Sequence, residues 1–446
     1  VRNVMYPWVF PLAKKTPGRS IMQHVRRWEE HSRWPLERQR EHAWQRLRTL
    51  ISHAYENVPL YQELYQSVGA EPGDISSWED FHRLPLLRRE HLTERLDDLT
   101  AQNIPQRSRE RHRTSGSTGI AASFWIDRSR SALIFANYHL NMRWLDFEVG
   151  ERAIWLWPDT VGPRGRGTWG RRIQSRLLKR RLFLSPDLSD EHMEVFHRWF
   201  VSWRPRMLVA FPTRVVHYLK FCRKRGLKIP QVELMISTGE SLHEWQREEF
   251  ESALGCTVVD RYGSVELGDI AQECLRQQGL HINTHRVWVE TVPAEGLEPG
   301  QGMLVLTDLD NLSTPFIRYQ SGDIGELWPE ESTADCPCGR KLPRIARVLG
   351  RVTDIVESPS GKIHTRLLFS STVREVPGII AFQVVHRAPR TLIFRCQPGN
   401  GFPGDGAEKI SRILGEKTHH EFDISVELVD ELKLTPSGKL RTVIRE

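Results

Sequence analysis

The densest group of residues that could do chemistry is Thr114-Ser115-Gly116-Ser117-Thr118-Gly119. Its two glycines permit a tight backbone whose amides point inward, and four hydroxyls add donors around the same small volume, which suits a phosphate cradle. It is not a Walker loop, because no Lys-Ser or Lys-Thr pair follows, and the same residues would also make an ordinary polar turn. A second run, Asp260-Arg261-Tyr262-Gly263-Ser264-Val265-Glu266, follows the apolar Thr257-Val258-Val259, so Tyr262 and Glu266 fall at a strand end, where α/β folds carry ligands. A carboxylate there could hold Mg²⁺ against phosphate oxygens, or it could be a solvated surface acid. In Arg318-Tyr319-Gln320-Ser321-Gly322-Asp323 the acid after the glycine could accept both hydroxyls of a ribose, or cap a turn. Near the C-terminal end, Leu434-Thr435-Pro436-Ser437-Gly438-Lys439-Leu440-Arg441 puts Lys439 at the tip of a turn on a small region that can move.

Alternating elements must hold these segments. Leu208 to Phe211, Leu234 to Ile236 and Thr257 to Val259 read as buried strands, with helical periodicity at 213–225 and 243–254 between them, the signature of an α/β fold. Residues 20–56 read as helical, with Trp44, Leu47, Ile51 and Ala54 on one face; Asn57-Val58-Pro59 stops the pattern. The polar run Thr100 to Arg113 punctuates the next short elements. Val287 to Val292 and Met303 to Asp308 suggest a more antiparallel region. Beyond a boundary at Arg351 to Asp354 a compact set has strands near Ile379 to His386, Leu392 to Cys396 and Ile424 to Val429.

The 446 residues allow two to four domains at roughly 100–200 residues each. With 39% hydrophobic and 27% charged residues the chain can build cores and is neither disordered nor fibrous. A net charge of +7, from 63 Lys+Arg against 56 Asp+Glu, suggests anionic partners without requiring nucleic acid. Val4 to Ala13 is broken by Pro7 and Pro11 and is too short to span a membrane, and no cleavage site marks a secretory signal. Six cysteines are too few for a disulfide scaffold, so a reducing compartment, the cytoplasm, is expected.

In their order, the four chemical segments resemble those of the adenylate-forming superfamily of acyl-CoA synthetases, luciferases and peptide-synthetase adenylation domains. The phenylacetate-CoA ligase-like branch, with its capsular-polysaccharide relatives, is the most similar, through Asn57-Val58-Pro59-Leu60-Tyr61, Leu84-Pro85-Leu86, Thr238-Gly239-Glu240-Ser241-Leu242 and Gly350-Arg351-Val352-Thr353-Asp354. The resemblance spans roughly residues 55–446. It implies a large N-terminal multi-sheet α/β body over 1–350, with a helical extension over about 1–56, and a small mobile C-terminal α+β domain over 351–446 carrying Lys439.

The implied activity is ATP-dependent formation of an acyl-adenylate from a carboxylic acid, then transfer to CoA. The alternatives are transfer to an amine, or a non-catalytic basic interaction protein on a degenerate ligase scaffold. By this resemblance Ser115 to Gly119 would hold the β- and γ-phosphates, Gly239 and Glu240 would line the adenine, and Tyr262, beside Gly263, would stack on it. Glu266 would bind Mg²⁺, Asp323 and Arg351 the ribose, and Lys439 would bridge the carboxylate and α-phosphate. Three segments depart from the pattern: Ile120-Ala121-Ala122 replaces a usual Pro and Lys, Thr353-Asp354 a pair of Asp residues, and Glu357-Ser358-Pro359-Ser360-Gly361 a Gly-x-Asn segment.

Cys336-Pro337-Cys338-Gly339 resembles a metal knuckle, and Cys274 and His281 could complete a structural Cys₃His zinc site; buried or merely reduced cysteines are the plainer reading. Phe211, Pro212 and Thr213 fall where relatives form part of the acyl pocket, although Phe211 could equally be plain core. Arg164 to Arg181 contains eight basic residues and no acid, with Trp169, Ile173 and Leu177 on one helical face. That stretch is either a contact for an anionic membrane surface or a solvated basic helix.

Overall fold

A computed structural model describes residues 18–114, 122–148, 150–159, 178–185, 187–329, 336–387, 389–399, 401–432 and 440–446. The helical stretch expected over 20–56 is two helices, α1 (Gly18–His31) and α2 (Leu36–Asn57), because Pro35 disfavours helical backbone at the residue before it. One face of α2 buries Ala43, Leu47, Leu50, Ile51 and Ala54, while Trp44 packs at its margin. Pro59 ends this helix and opens α3 (Pro59–Gln66), where its missing N–H costs nothing. Two short helices follow, α4 (Trp78–Arg83) and α5 (Arg89–Glu94).

The polar run Thr100 to Arg113, read as punctuation between short elements, contains a strand, β1 (Arg109–Arg113), paired antiparallel with β2 (Ser123–Asp127). This ribbon leads into and out of the hydroxyl-rich segment. Helix α6 (Arg130–Arg143) then precedes the main sheet. The parallel half of that sheet is β3 (Ala153–Pro158), β4 (Arg180–Ser185), β5 (Met207–Ala210), β6 (Leu234–Thr238) and β7 (Thr257–Ser264). Helices α7 (Asp190–Trp203), α8 (Pro212–Lys224) and α9 (Glu244–Leu254) make the crossovers. Alternation along β5 assigns the two faces: Leu208 and Ala210 pack beneath Phe196, Phe200, Tyr218 and Leu219, while Met207 and Val209 meet Met142, Leu145 and Phe147. Both faces are covered, as a parallel sheet requires.

From β7 the direction changes. Strands β8 (Gly268–Glu273), β9 (Leu280–Ile282), β10 (Val287–Val292), β11 (Gln301–Asp308), β12 (Tyr319–Leu327) and β13 (Arg344–Arg351) add antiparallel. Among the described residues this gives an 11-stranded order β10-β11-β12-β13-β9-β8-β7-β6-β5-β3-β4. The N-terminal helices cover the antiparallel half, where Trp78 stacks on Trp288 at 4.1 Å.

Beyond β13 come a 3₁₀ turn at Val352–Asp354 and the short pair β14 (Val356–Glu357) and β15 (Ile363–His364). A separate sheet follows, ordered β18-β17-β16-β19: β16 (Ile379–Arg387), β17 (Thr391–Pro398), β18 (Asp423–Leu428) and β19 (Val443–Arg445). Helices α10 (Arg366–Glu375) and α11 (Gly406–Lys417) accompany it, and the sheet shares a core with Phe369, Val373, Ile410 and Leu414. Among the described residues no helix is long and apolar enough to cross a membrane. Most of the basic stretch, including Arg164, Trp169, Ile173 and Leu177, lies outside them. Its described end is engaged by the protein itself: Arg180 lies over Tyr138 and Trp155, and Arg181 over Trp203.

A buried ionic network ties helices α6 and α2 to the antiparallel half. Arg130 of α6 pairs with Asp308 at the end of β11, and Arg286 donates to Asp310 at 2.5 Å; all four side chains are at most 1% exposed. Arg46 of α2 reaches the other oxygen of Asp310. Asp308→Ala would leave two buried guanidiniums short of a counter-charge and is expected to cost roughly 3–5 kcal/mol of unfolding free energy in urea titration. Arg223→Ala, which removes an exposed pair with Glu249, should cost under about 1 kcal/mol.

Candidate active site

The two residues that flank the hydroxyl-rich segment, Thr114 and Ala122, are bonded to each other. Thr114 donates its amide to the Ala122 carbonyl at 2.9 Å, and the Ala122 amide returns a hydrogen bond to Thr114 Oγ1 at 3.0 Å. Arg89, at the first turn of α5, donates to the same hydroxyl at 3.3 Å and also reaches the phenol of Tyr319. Ser115, Gly116, Ser117, Thr118 and Gly119 themselves lie outside the described residues, as does Lys439.

At the carboxyl ends of β5 and β6 a second group is knotted together. Gly239 has φ +80°, and a Cβ there would meet the Phe211 ring at 2.4 Å, so only glycine permits this approach. Phe211 packs edge-on against Trp157, 4.9 Å between ring centres. Pro212 opens α8 behind it, and Thr213, in the first turn, donates its amide to Glu240 Oε2 at 3.0 Å. The predicted adenine-lining and acyl-pocket residues are therefore one cluster, with the Glu240 carboxylate satisfying a helix N-terminal amide.

Register carries the site across to β7. Thr238 pairs with Arg261, which brings Gly239 alongside Tyr262. The Tyr262 hydroxyl donates to Asp323 Oδ2 at 2.7 Å, and Arg351 Nε lies 3.4 Å from Asp323 Oδ1, its register partner on β13. Burial and the adjacent Asp323 push the Tyr262 phenol well up, so it remains a donor at neutral pH. Gly263 sits at a bulge in the β7–β8 ladder, where a Cβ would approach the Gly268 carbonyl at 2.7 Å. Glu266, in the turn between those strands, is buried, and its carbonyl accepts from Arg130 at 2.9 Å. Its charge is felt by both Arg351 and Tyr319. Thr114, Glu266, Tyr262, Asp323 and Arg351 thus surround one region, linked through Arg89 and Tyr319. Arg89 and Arg130 were not singled out in the sequence, because an arginine in a chain rich in them carries no local signal.

Cys274, His281, Cys336 and Cys338 come together as well, their ligand atoms all within 4.8 Å of one another. Cys274 Sγ lies 3.7 Å from Cys336 Sγ, and Cys338 Sγ 3.4 Å from His281 Nε2. Zn–S bonds of about 2.3 Å and Zn–N bonds of about 2.0 Å around a tetrahedron require edges near about 3.8 and 3.5 Å. The donor set and its spacing fit zinc.

No protein-family model matches the chain. In sequence it is similar to a phenylacetate-coenzyme A ligase of Thermus thermophilus, 25% identical over 391 residues, covering 80% of each chain. It is also similar to the protein CapK of Staphylococcus aureus, 20% identical over 90% of this chain and 88% of that one. In structure it matches 2-hydroxyisobutyryl-CoA ligase in its postadenylation state with a TM-score of 0.77 at 19% identity, covering 94% of this chain and 92% of the other. The same ligase in its thioesterification state, covered to the same extent at 20% identity, matches at 0.62.

The Gly239–Phe211 approach is open to a direct check. Gly239→Ala should destabilise the protein by roughly 1–3 kcal/mol in urea titration, more than Gly300→Ala, which has φ +85° and nothing within 4 Å of its Cβ position. Equal costs would mean that the ring contact contributes nothing.

Proposed function

For a chain with the fold of the adenylate-forming ligases, similar in sequence to their phenylacetate-CoA ligase-like branch, we propose ATP-dependent activation of a carboxylic acid and transfer of its acyl group to CoA. In the first half-reaction a carboxylate oxygen attacks the α-phosphorus of ATP, the bond to the bridging oxygen breaks and pyrophosphate leaves. In the second, the CoA sulfur attacks the acyl carbonyl, AMP departs and the thiol proton is released. The observation that carries this reading is the meeting of Glu266, Tyr262, Asp323, Arg351 and Thr114 beside the Gly239–Phe211 knot.

Each residue has a role in that scheme. The loop held at Thr114 and Ala122 takes the β- and γ-phosphates, which its amides and hydroxyls suit. Tyr262 and Gly239 face the adenine, and Asp323, oriented by Tyr262 and Arg351, accepts from the ribose. Glu266 would hold Mg²⁺, which neutralises phosphate charge when bound. Lys439 supplies a preorganised cation at the α-phosphate as charge builds in the transition state. We assign residues 351–446 as the moving lid and 1–350 as the body. The better match to the postadenylation-state relative supports a lid orientation suited to the first half-reaction. In this orientation Ser370 of α10 meets His243 at 2.6 Å, Arg374 lies 3.8 Å from Glu244, and Trp245 packs into the lid core.

Zinc at Cys274, His281, Cys336 and Cys338 would be structural, since four protein ligands leave no open position. It would pin the segment after Glu266 to the turn before β13. The cysteines are all unpaired, which suits a reducing, ATP-containing compartment, the cytoplasm.

ATP–pyrophosphate exchange across a panel of acids should show acid-dependent activity that Lys439→Ala lowers by about 100-fold or more; absence of both exchange and ATP binding contradicts the proposal. Elemental analysis should find about one zinc per chain, lost with a fall in Tm in Cys338→Ser. A metal-free protein of unchanged Tm would remove the zinc assignment.

A further inference from the structure

Arg214 stands in the first turn of α8, next to Thr213, and is fully buried, yet Nε, Nη1 and Nη2 have no hydrogen-bond partner among the described residues. The carboxylates that act on it are Glu240, Asp159 and Asp187, on the segments following β6, β3 and β4. The guanidinium therefore sits at the carboxyl edge of the parallel half, the crevice in which doubly wound sheets bind ligands. None of the three completes an ion pair with it: Glu240 is bound by the Thr213 amide, Asp187 by Ser189 and His192, and Asp159 is solvent-exposed. Burial pulls the Arg214 pKa down only to about 10, so it stays charged at neutral pH. A buried, charged guanidinium with no hydrogen bond among the described residues is strongly disfavoured unless an anion reaches it.

Its place in the sheet indicates which anion. Tyr262, Asp323 and Arg351 lie on β7, β12 and β13, to one side of β6, whereas β5, β3 and β4 lie to the other. Two to three strand spacings, roughly 10–15 Å, separate Tyr262 from the Arg214 side. An acid activated between the nucleotide and α8 would point its far end toward Arg214, past Phe211 and Thr213. A guanidinium fork matches a carboxylate bidentately. We propose that Arg214 is a specificity-determining residue that binds a second carboxylate on the acid, so that the substrates of this ligase are dicarboxylic acids with several carbons between their carboxyl groups. This inference rests on the acid-ligase reading above.

The test is ATP–pyrophosphate exchange with matched pairs, adipate against hexanoate and terephthalate against benzoate. The wild-type enzyme should favour the diacid by at least about tenfold in kcat/KM, and Arg214→Gln should bring that ratio to about one, with the loss mainly in KM. Arg214→Lys, which keeps the charge and loses the fork, should retain part of the preference. Exchange with monoacids and no preference for either diacid would overturn the proposal while leaving the ligase reading intact. A preference that survives Arg214→Gln would also overturn it. No exchange with any acid would sink both readings. If Arg214→Gln does not fold, the wild-type ratio and Arg214→Lys still decide.

Discussion

One buried guanidinium joins the parts that the site depends on. Arg130 donates to the carbonyl of Glu266 and to the carboxylate of Asp308, so the turn between β7 and β8 and the end of β11 are fixed by a single side chain. Asp310, whose amide donates to Asp308, extends the joint to Arg286 and to Arg46 of α2. Such a network is expensive to bury and adds little net stability compared with apolar packing. Its value lies in geometry, because an ionic joint with every oxygen engaged has one arrangement, whereas apolar side chains slide. Glu266 gains a fixed backbone position, and through the shared sheet so do Tyr262 and Asp323.

The parallel half was legible because its strands are short, continuous apolar runs and its helices carry a 3.6-residue period. The helices expected at 213–225 and 243–254 are α8 and α9, shifted by about a residue. Pro35 was visible in the sequence, but the regular Trp44-Leu47-Ile51-Ala54 stripe masked the break it causes. Strand β1 reads Arg-Glu-Arg-His-Arg and offers neither an apolar run nor alternation, since its own side chains are exposed or half-buried and the buried Phe124 and Ile126 of the ribbon belong to its partner β2. The segments that form the site were recognisable one by one. Their contacts were not: Tyr262 and Asp323 meet across 61 positions, and Cys274 and Cys336 across 62. The arginines that orient or confront the site, Arg89, Arg130 and Arg214, carry no local sequence signal; their roles come from burial and from what surrounds them.

The proposed lid is attached differently. Its polar contacts with the body include His243–Ser370, Lys362–Glu298 and the Ile363 amide on the Gly296 carbonyl, with Trp245 and Ile380 packed across the junction. These are exchangeable contacts, in contrast to the buried charges of the body. A chemistry of two successive steps needs that asymmetry: a rigid cradle for the nucleotide and a second surface that can be replaced once the adenylate has formed.

All of this depends on one nucleotide sitting where separate strand ends meet. A crystal structure with a non-hydrolysable ATP analogue tests that claim most directly. The adenine is expected between Gly239 and Tyr262, the ribose hydroxyls on Asp323, and the phosphates running toward Thr114 and Glu266. A nucleotide bound elsewhere, with these residues untouched, would contradict it.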